Sequence, residues 1–283
     1  MQPKMIADTN CHTGENPLWH PDEQCVYWVD IPTGRLFRYD PARDHHEQVD
    51  ERQPIGGFTL QEDGALLLFM DRGGIGIWRD GDLTMIVDEI PAERDARFND
   101  VIADPAGRVY CGTMSNEAHV GRLYRLDTDG TLTVMLEDVR TSNGMGFTPD
   151  RRTMYYTETG RREITCFDYD QATGDLTNRR VFARVPERGG EGKPDGMTVD
   201  AEGCVWSARW DGHCVVRYAP DGTELRRITF PVPKVSCPTF GGPDYGDLYV
   251  TTAGGANRAE EGNQAGALFR VRPAEHGASG NCG

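Results

Sequence analysis

Apolar residues in this chain come in short runs of six or seven, each preceded and followed by turn residues, with no stretch of sustained helical periodicity. CVYWVDI, ALLLFM, VYCGTM, TMYYTET, VWSARW and LYVTTA are dense in Val, Tyr, Trp and Thr. Such residues suit a half-buried pleated surface, and each run reads as a strand. A second run follows each of them: GRLFRYD, GIGIWRD, GRLYRLD, EITCFDYD, CVVRYAP and ALFRVRP. These alternate apolar and polar residues, as a strand with one wet face does. A weaker third run, such as LTMIVDE or LTVMLED, comes after most of the pairs.

One short phrase leads into each first run: ENPLWHPDEQ, GGFTLQEDG, NDVIADPAG, NGMGFTPDR, DGMTVDAEG and CPTFGGPDYG. The heads of the six phrases are Glu15, Gly56, Asn99, Asn143, Asp195 and Cys237, spaced 41, 43, 44, 52 and 42 residues apart. Six repeats of about four strands predict an all-β, six-bladed β-propeller, one blade per repeat and four antiparallel strands in each. The longest interval leaves room for a Gly/Glu-rich loop over Pro186 to Lys193. The C-terminal HGASGNCG is a poor strand former, so residues near Lys4 to Thr9 are expected to supply the outer strand of blade six and close the ring. An open ring would leave a sheet edge unpaired.

The repeats fill residues 1–283 as a single domain, a length that all-β folds reach undivided. The net charge of -15 disfavours a phosphate-binding surface and hence nucleic acid. No apolar stretch is long enough to span a bilayer, and MQPKMIADTN lacks the layout of a secretory signal. The eight cysteines include no close pair of metal-binding type, and several sit in strand runs. They are expected to be buried thiols without structural disulfides in a cytoplasmic protein, monomeric or weakly oligomeric. Most of the seven histidines, His20 and His46 among them, are expected to be exposed, with His119 set apart by following Glu117 in a loop over the channel.

In a propeller the innermost strand of each blade lines the central channel, so the six heads should form a ring around the axis. Four of them carry an oxygen donor. Glu15, Asn99, Asn143 and Asp195 would make a hard, oxygen-rich site suited to Ca²⁺, Mg²⁺ or Mn²⁺, and able to hold Zn²⁺ or Fe²⁺ with water. Turn formation alone would explain Asn143-Gly144 and Asp195-Gly196 but not a glutamate in the same register. Gly56 is expected to clear space beside a ligand and Cys237 to pack.

GENPLW, RFND followed by DPAGRVYCGTM, SNGMGFTPD, KPDGMTVDAEG and the late FGGPD with LYVTT occur in this order. In this set the chain resembles the senescence marker protein/gluconolactonase/luciferin-regenerating family, which includes regucalcin and bacterial sugar lactonases. The resemblance implies a hydrolase that opens sugar-acid lactones such as glucono-, xylono- or arabinonolactone, with one divalent metal ion acting as a Lewis acid on the carbonyl. It implies Glu15, Asn143 and Asp195 as metal ligands, Asp195 also as the catalytic residue that handles the attacking water, and Arg97, Asn99 and Glu117 as substrate contacts. Two other functions are compatible with a propeller: a calcium-binding regulator without catalysis, and a paraoxonase-like esterase or phosphotriesterase. No GxSxG elbow is present, so a serine hydrolase of that type has no support.

Overall fold

In the computed structural model, residues 2–117 and 119–274 are described, and they form six four-stranded antiparallel sheets. The six inner strands are Gly14–His20, Ile55–Leu60, Phe98–Ala103, Ser142–Phe147, Lys193–Val199 and Val235–Gly241, each beginning at or just before a phrase head. In five blades the strands follow in chain order from the inside out. The sixth takes its outer strand from the N-terminus, where Lys4–Ala7 pairs antiparallel with Leu268–Val271. HGASGNCG lies outside the described residues.

Six hydrophobic clusters weld the sheets into the expected β-propeller, each cluster shared by two neighbouring blades. The seam between blades six and one joins Tyr249 and Leu268 to Trp19, Trp28 and Phe37, so the ring is closed by the same side-chain packing as every other seam. At two other seams Trp206 meets Phe240 edge-on and Tyr110 leans on Phe147. Each buried aromatic removes enough apolar area to be worth roughly 1.5–3 kcal/mol.

The phrase that announces each blade also builds the turn after its inner strand. Asp104 Oδ1 accepts from the backbone N–H groups of Ala106 and Arg108 at 2.8 and 2.9 Å, and Asp200 Oδ1 does the same for Glu202 and Cys204 at 3.0 and 2.9 Å. The eighth residue after the head sits at positive φ in Gly64, Gly107 and Gly203, and also in Arg151 and Tyr245. Glycine is the ordinary solution there because it has no Cβ to clash. Four short helical turns, the longest the α-helix Arg258–Glu261 with its preceding turn, are confined to loops.

At every head the inner strand carries one residue more than its partner. Phe98 pairs with Thr113 and Val101 with Cys111, so three steps on the inner strand oppose two on the next. Glu15 to Leu18, Pro194 to Met197 and Val235 to Pro238 repeat this, and Asn143 to Met145 and Ile55 to Gly57 oppose two steps to one. A bulge of this kind bends the strand and redirects side chains.

The bulged strands approach one another closely where the phrase has glycine. A Cβ on Gly144 would stand 2.4 Å from the backbone nitrogen of Met197, and one on Gly196 would stand 2.4 Å from Cys237 Sγ. Gly144→Ala should therefore cost about 1–3 kcal/mol of stability, the usual penalty for overpacking. Urea unfolding checks this, and an unchanged midpoint would contradict the close approach.

Candidate functional site

The channel mouth holds a cavity of about 230 Å³ whose walls include Glu15, Asn143, Asp195, Arg97 and Asn99. Five of the six residues singled out from the sequence thus meet, brought from blades one, three, four and five. The sixth, Glu117, is exposed and does not line this cavity.

Hydrogen bonds determine which end of each amide faces the channel. Thr159 Oγ1 donates to the carbonyl of Pro194 at 2.7 Å, so it can only accept from Asn143 Nδ2, at 2.9 Å. Asn143 therefore turns its oxygen inward, with Asn99 Nδ2 as a distant neighbour at 3.4 Å. Asn99 is arranged differently. Its Nδ2 donates to the carbonyl of Ser142 at 2.8 Å, and its Oδ1 accepts from Arg97 Nη1 at 2.8 Å. The same Arg97 nitrogen donates to the carbonyl of Phe98 at 2.8 Å. Arg97 forms no ion pair among the described residues, so its remaining donors are free to face the cavity.

Asp100, next to Asn99, belongs to the same centre and was not anticipated. The bulge between Phe98 and Val101 lets both Asn99 and Asp100 reach the axis, whereas simple alternation would put them on opposite faces. Glu15, Asp100 and Cys237 each offer a donor atom within 4.8 Å of the other two, and all three are buried. Cys237 thus abuts two carboxylates as well as packing. Asp100 Oδ1 and Asp195 Oδ2 are buried with no hydrogen-bond partner. Gly56 is explained by the fold and not by room for a ligand: a Cβ there would lie 2.1 Å from the carbonyl oxygen of Phe98.

Burial raises the pKa of all three carboxyl groups, and the charge of Asp100 adds to the shifts of Glu15 and Asp195. Burial first, then the charges of Asp195 and Asp100, push Glu15 well above the usual carboxylate range. Burial and the charge of Asp100 do the same for Asp195, against the opposing pull of Asn143 and of the buried guanidinium of Arg209. Asp100 is pushed up to about 7 by burial, with Arg97 pulling the other way. Burial also raises the Cys237 thiol, and the nearby carboxylates add to it. This donor set fits a hard divalent cation: it is rich in oxygen, includes unpartnered buried carboxylate atoms, and lacks the positive charge that would let all three groups ionise.

The described histidines fall outside the cavity. His20 is buried, contrary to expectation, because it fills the turn that closes the first inner strand: its Nδ1 accepts from the N–H of Glu23 at 3.2 Å, and its Nε2 lies 3.3 Å from the carbonyl of Gly64. His119 lies 2.8 Å from the buried Glu93 carboxylate, which ties its segment to blade three. Of the six cavity-lining residues that the sequence did not flag, three stand next to the predicted ligands. Thr159 orients Asn143, while Lys193 and Trp210, opposed in register on neighbouring strands, form the wall beside Asp195.

A family model described as the SMP-30/Gluconolactonase/LRE-like region matches residues 13–254. The chain is 52% identical to the pentonolactonase XacC of Haloferax volcanii, over 96% of this chain and 94% of that protein. It is 34% identical to regucalcin of Xenopus laevis, over 85% and 83% of the two chains. Among solved structures, the calcium-binding protein regucalcin from Agrobacterium tumefaciens superposes with a TM-score of 0.90 at 26% identity, covering 98% of this chain and 95% of that one.

Raised carboxyl pKa values give the site a pH signature. The folded chain binds more protons than the unfolded one between about pH 4, where ordinary carboxyl groups titrate, and the raised values. That contribution to stability is complete below this window and is lost as the pH climbs through the value of Asp100, about 7, and those of Glu15 and Asp195. A cation replaces the protons, so the gain in Tm on adding a divalent ion should be larger at about pH 8 than at about pH 5. Scanning calorimetry checks it, and an equal or smaller gain at the higher pH would contradict the crowding.

Proposed function

The chain belongs to the SMP-30/Gluconolactonase/LRE-like family, and from that premise we propose that it hydrolyses sugar-acid lactones, opening aldonolactones to the free aldonic acid with one divalent cation held in the channel. The observation that carries this reading is the pairing, in one cavity, of the buried carboxylates Glu15 and Asp195 with the hydrogen-bonded pair Arg97 and Asn99. Relatives named as lactonases support the reaction class, the pentonolactonase of Haloferax volcanii and a 6-deoxy-6-sulfogluconolactonase of Pseudomonas putida among them.

Glu15, Asn143 and Asp195 would hold the cation, and the oxygen-rich set admits Ca²⁺, Mg²⁺, Mn²⁺, Zn²⁺ or Fe²⁺. When bound, the ion supplies Lewis-acid polarisation of the lactone carbonyl and charge for the developing oxyanion. Asp195, whose Oδ2 is buried and without a partner, would orient the attacking water and take its proton as the new C–O bond forms. The proton passes to the ring oxygen as the ring C–O bond breaks, which leaves the aldonic acid. Arg97, with Asn99 oriented by it, donates to the ring oxygen and hydroxyls. Glu117, exposed three residues beyond the cavity-lining Met114, is assigned to the outer hydroxyls. Sites built to pair with hydroxyls discriminate strongly against substrates lacking them.

Among the described residues no helix is long and apolar enough to cross a membrane. The seven described cysteines are all free and buried, which supports a reducing, cytoplasmic setting.

Exhaustive chelation should abolish aldonolactone hydrolysis, and adding back a divalent ion should restore it. Glu15→Gln and Asp195→Asn should each lower kcat/KM by about 100-fold or more with an unchanged circular dichroism spectrum. Titration with a pH indicator across pentono- and hexonolactones reads both. Full rates in the chelated protein or in both variants would overturn the mechanism, and cation binding with no hydrolysis of any lactone would favour a non-catalytic calcium-binding propeller.

A further inference from the structure

The chain contains 27 arginines but only three lysines, Lys4, Lys193 and Lys234. Two of the three stand around one half-buried tryptophan at the channel mouth. Lys234 Nζ lies 5.7 Å from the centre of the Trp210 ring. A cation over an indole face is favourable by roughly 0.5–1 kcal/mol at a partly exposed site. Lys234 is itself held from two sides, by Asp211 at 3.1 Å and by Glu261. Glu261 ends the α-helix Arg258–Glu261 in a loop of blade six, so blade six braces a side chain of blade five. The brace fixes Trp210 in the wall of the cavity, where burial alone would leave it free to turn.

Lys193 pairs in register with Trp210 and lines the same cavity. It is exposed and forms no ion pair among the described residues, in a chain with a net charge of -15. Its basic neighbours Arg188 and Arg227 are paired with Glu191, and Lys234 with its two carboxylates. An unpaired ammonium beside a braced indole, facing a polar cavity, offers an apolar plane and a multidirectional donor side by side. A polyol presents the complement, a C–H surface edged with hydroxyls.

We propose that Trp210 and Lys193 form a saccharide subsite at the channel mouth that sets which lactones are accepted, with Lys234 as the residue that positions Trp210. The indole takes the C–H surface of the hydroxylated tail of the lactone, and Lys193 Nζ donates to its hydroxyls and, after ring opening, to the aldonate carboxylate. Trp210 and Lys193 come from blade five and Arg97 and Asn99 from blade three, so the two pairs hold different parts of the substrate. This inference rests on the lactone reading given above.

Steady-state kinetics with gluconolactone and xylonolactone on the full-length protein test it. Trp210→Ala should raise KM about tenfold or more while kcat changes less than about threefold, Lys193→Met should raise KM severalfold, and Trp210→Phe should keep KM within about threefold of wild type. Lys234→Met, which frees the indole without removing it, should fall between wild type and Trp210→Ala. Unchanged KM in both Trp210→Ala and Lys193→Met would overturn the subsite while leaving the hydrolase intact. If the wild-type protein opens no lactone with any divalent ion, the hydrolase reading fails by itself, and calorimetric titration with gluconate decides on the subsite. Weaker gluconate binding by Trp210→Ala supports it, whereas equal binding, or none by the wild type, overturns it.

Discussion

Three carboxyl groups, those of Glu15, Asp100 and Asp195, are buried together where the inner strands converge, and the chemistry of the channel depends on that crowding. Burying one unpaired carboxylate is expensive, and a group in that position shifts its pKa and takes up a proton. Three together can all ionise only if positive charge is brought among them. The protein supplies part of it through Arg97 on one side and the buried Arg209 on the other, which oppose the shifts without cancelling them. What remains is excess negative charge, which raises the carboxyl pKa values and favours the protonated groups.

The fold can impose this cost because it does not rest on the axis for its cohesion. Hydrophobic clusters at six seams, one of them completed by the N-terminal strand, hold the blades together away from the channel. The inner strands are free to carry polar residues, bulges and glycines that would weaken an ordinary sheet. Gly144 lets its strand touch the backbone of the next inner strand and Gly196 lets its own touch the Cys237 side chain, which brings Asn143, Asp195 and Cys237 close together. The ring that results is lopsided. Its acidic side gathers Glu15, Asp100 and Asp195, and its mouth is lined by Arg97, Lys193 and Trp210.

The blade count, the strand order and the closure by Lys4–Ala7 were all legible because a β-propeller writes its period into the chain. The ring of heads was legible for the same reason, and five of its predicted partners do share one cavity. Asp100 was hidden by the bulge. Read as simple alternation, NDV sends Asn99 and Asp100 to opposite faces, and only an extra residue at the head brings both to the axis. An observation that the ADPAG phrase follows a head with two polar residues in succession would have been the available hint. Thr159 and Trp210 were illegible for a different reason: each comes from a neighbouring strand or turn, and its role exists only through a contact with Asn143 or with the cavity. His20 was read as exposed because it stands at a turn, yet that turn folds back over it. Glu117 lies two residues before His119, whose contact with Glu93 no local pattern encodes.

Proton release on cation binding measures the crowding most directly. Calorimetric titration of a divalent ion at about pH 7, repeated in buffers of different ionisation enthalpy, counts the protons displaced. With Asp100 titrating at about 7 and Glu15 and Asp195 raised well above the ordinary carboxylate range, binding should release a substantial fraction of a proton or more per ion, and the number should shrink as the pH is raised further. Cation binding that releases no protons near neutral pH would mean that the three carboxylates are already ionised, and would contradict the account.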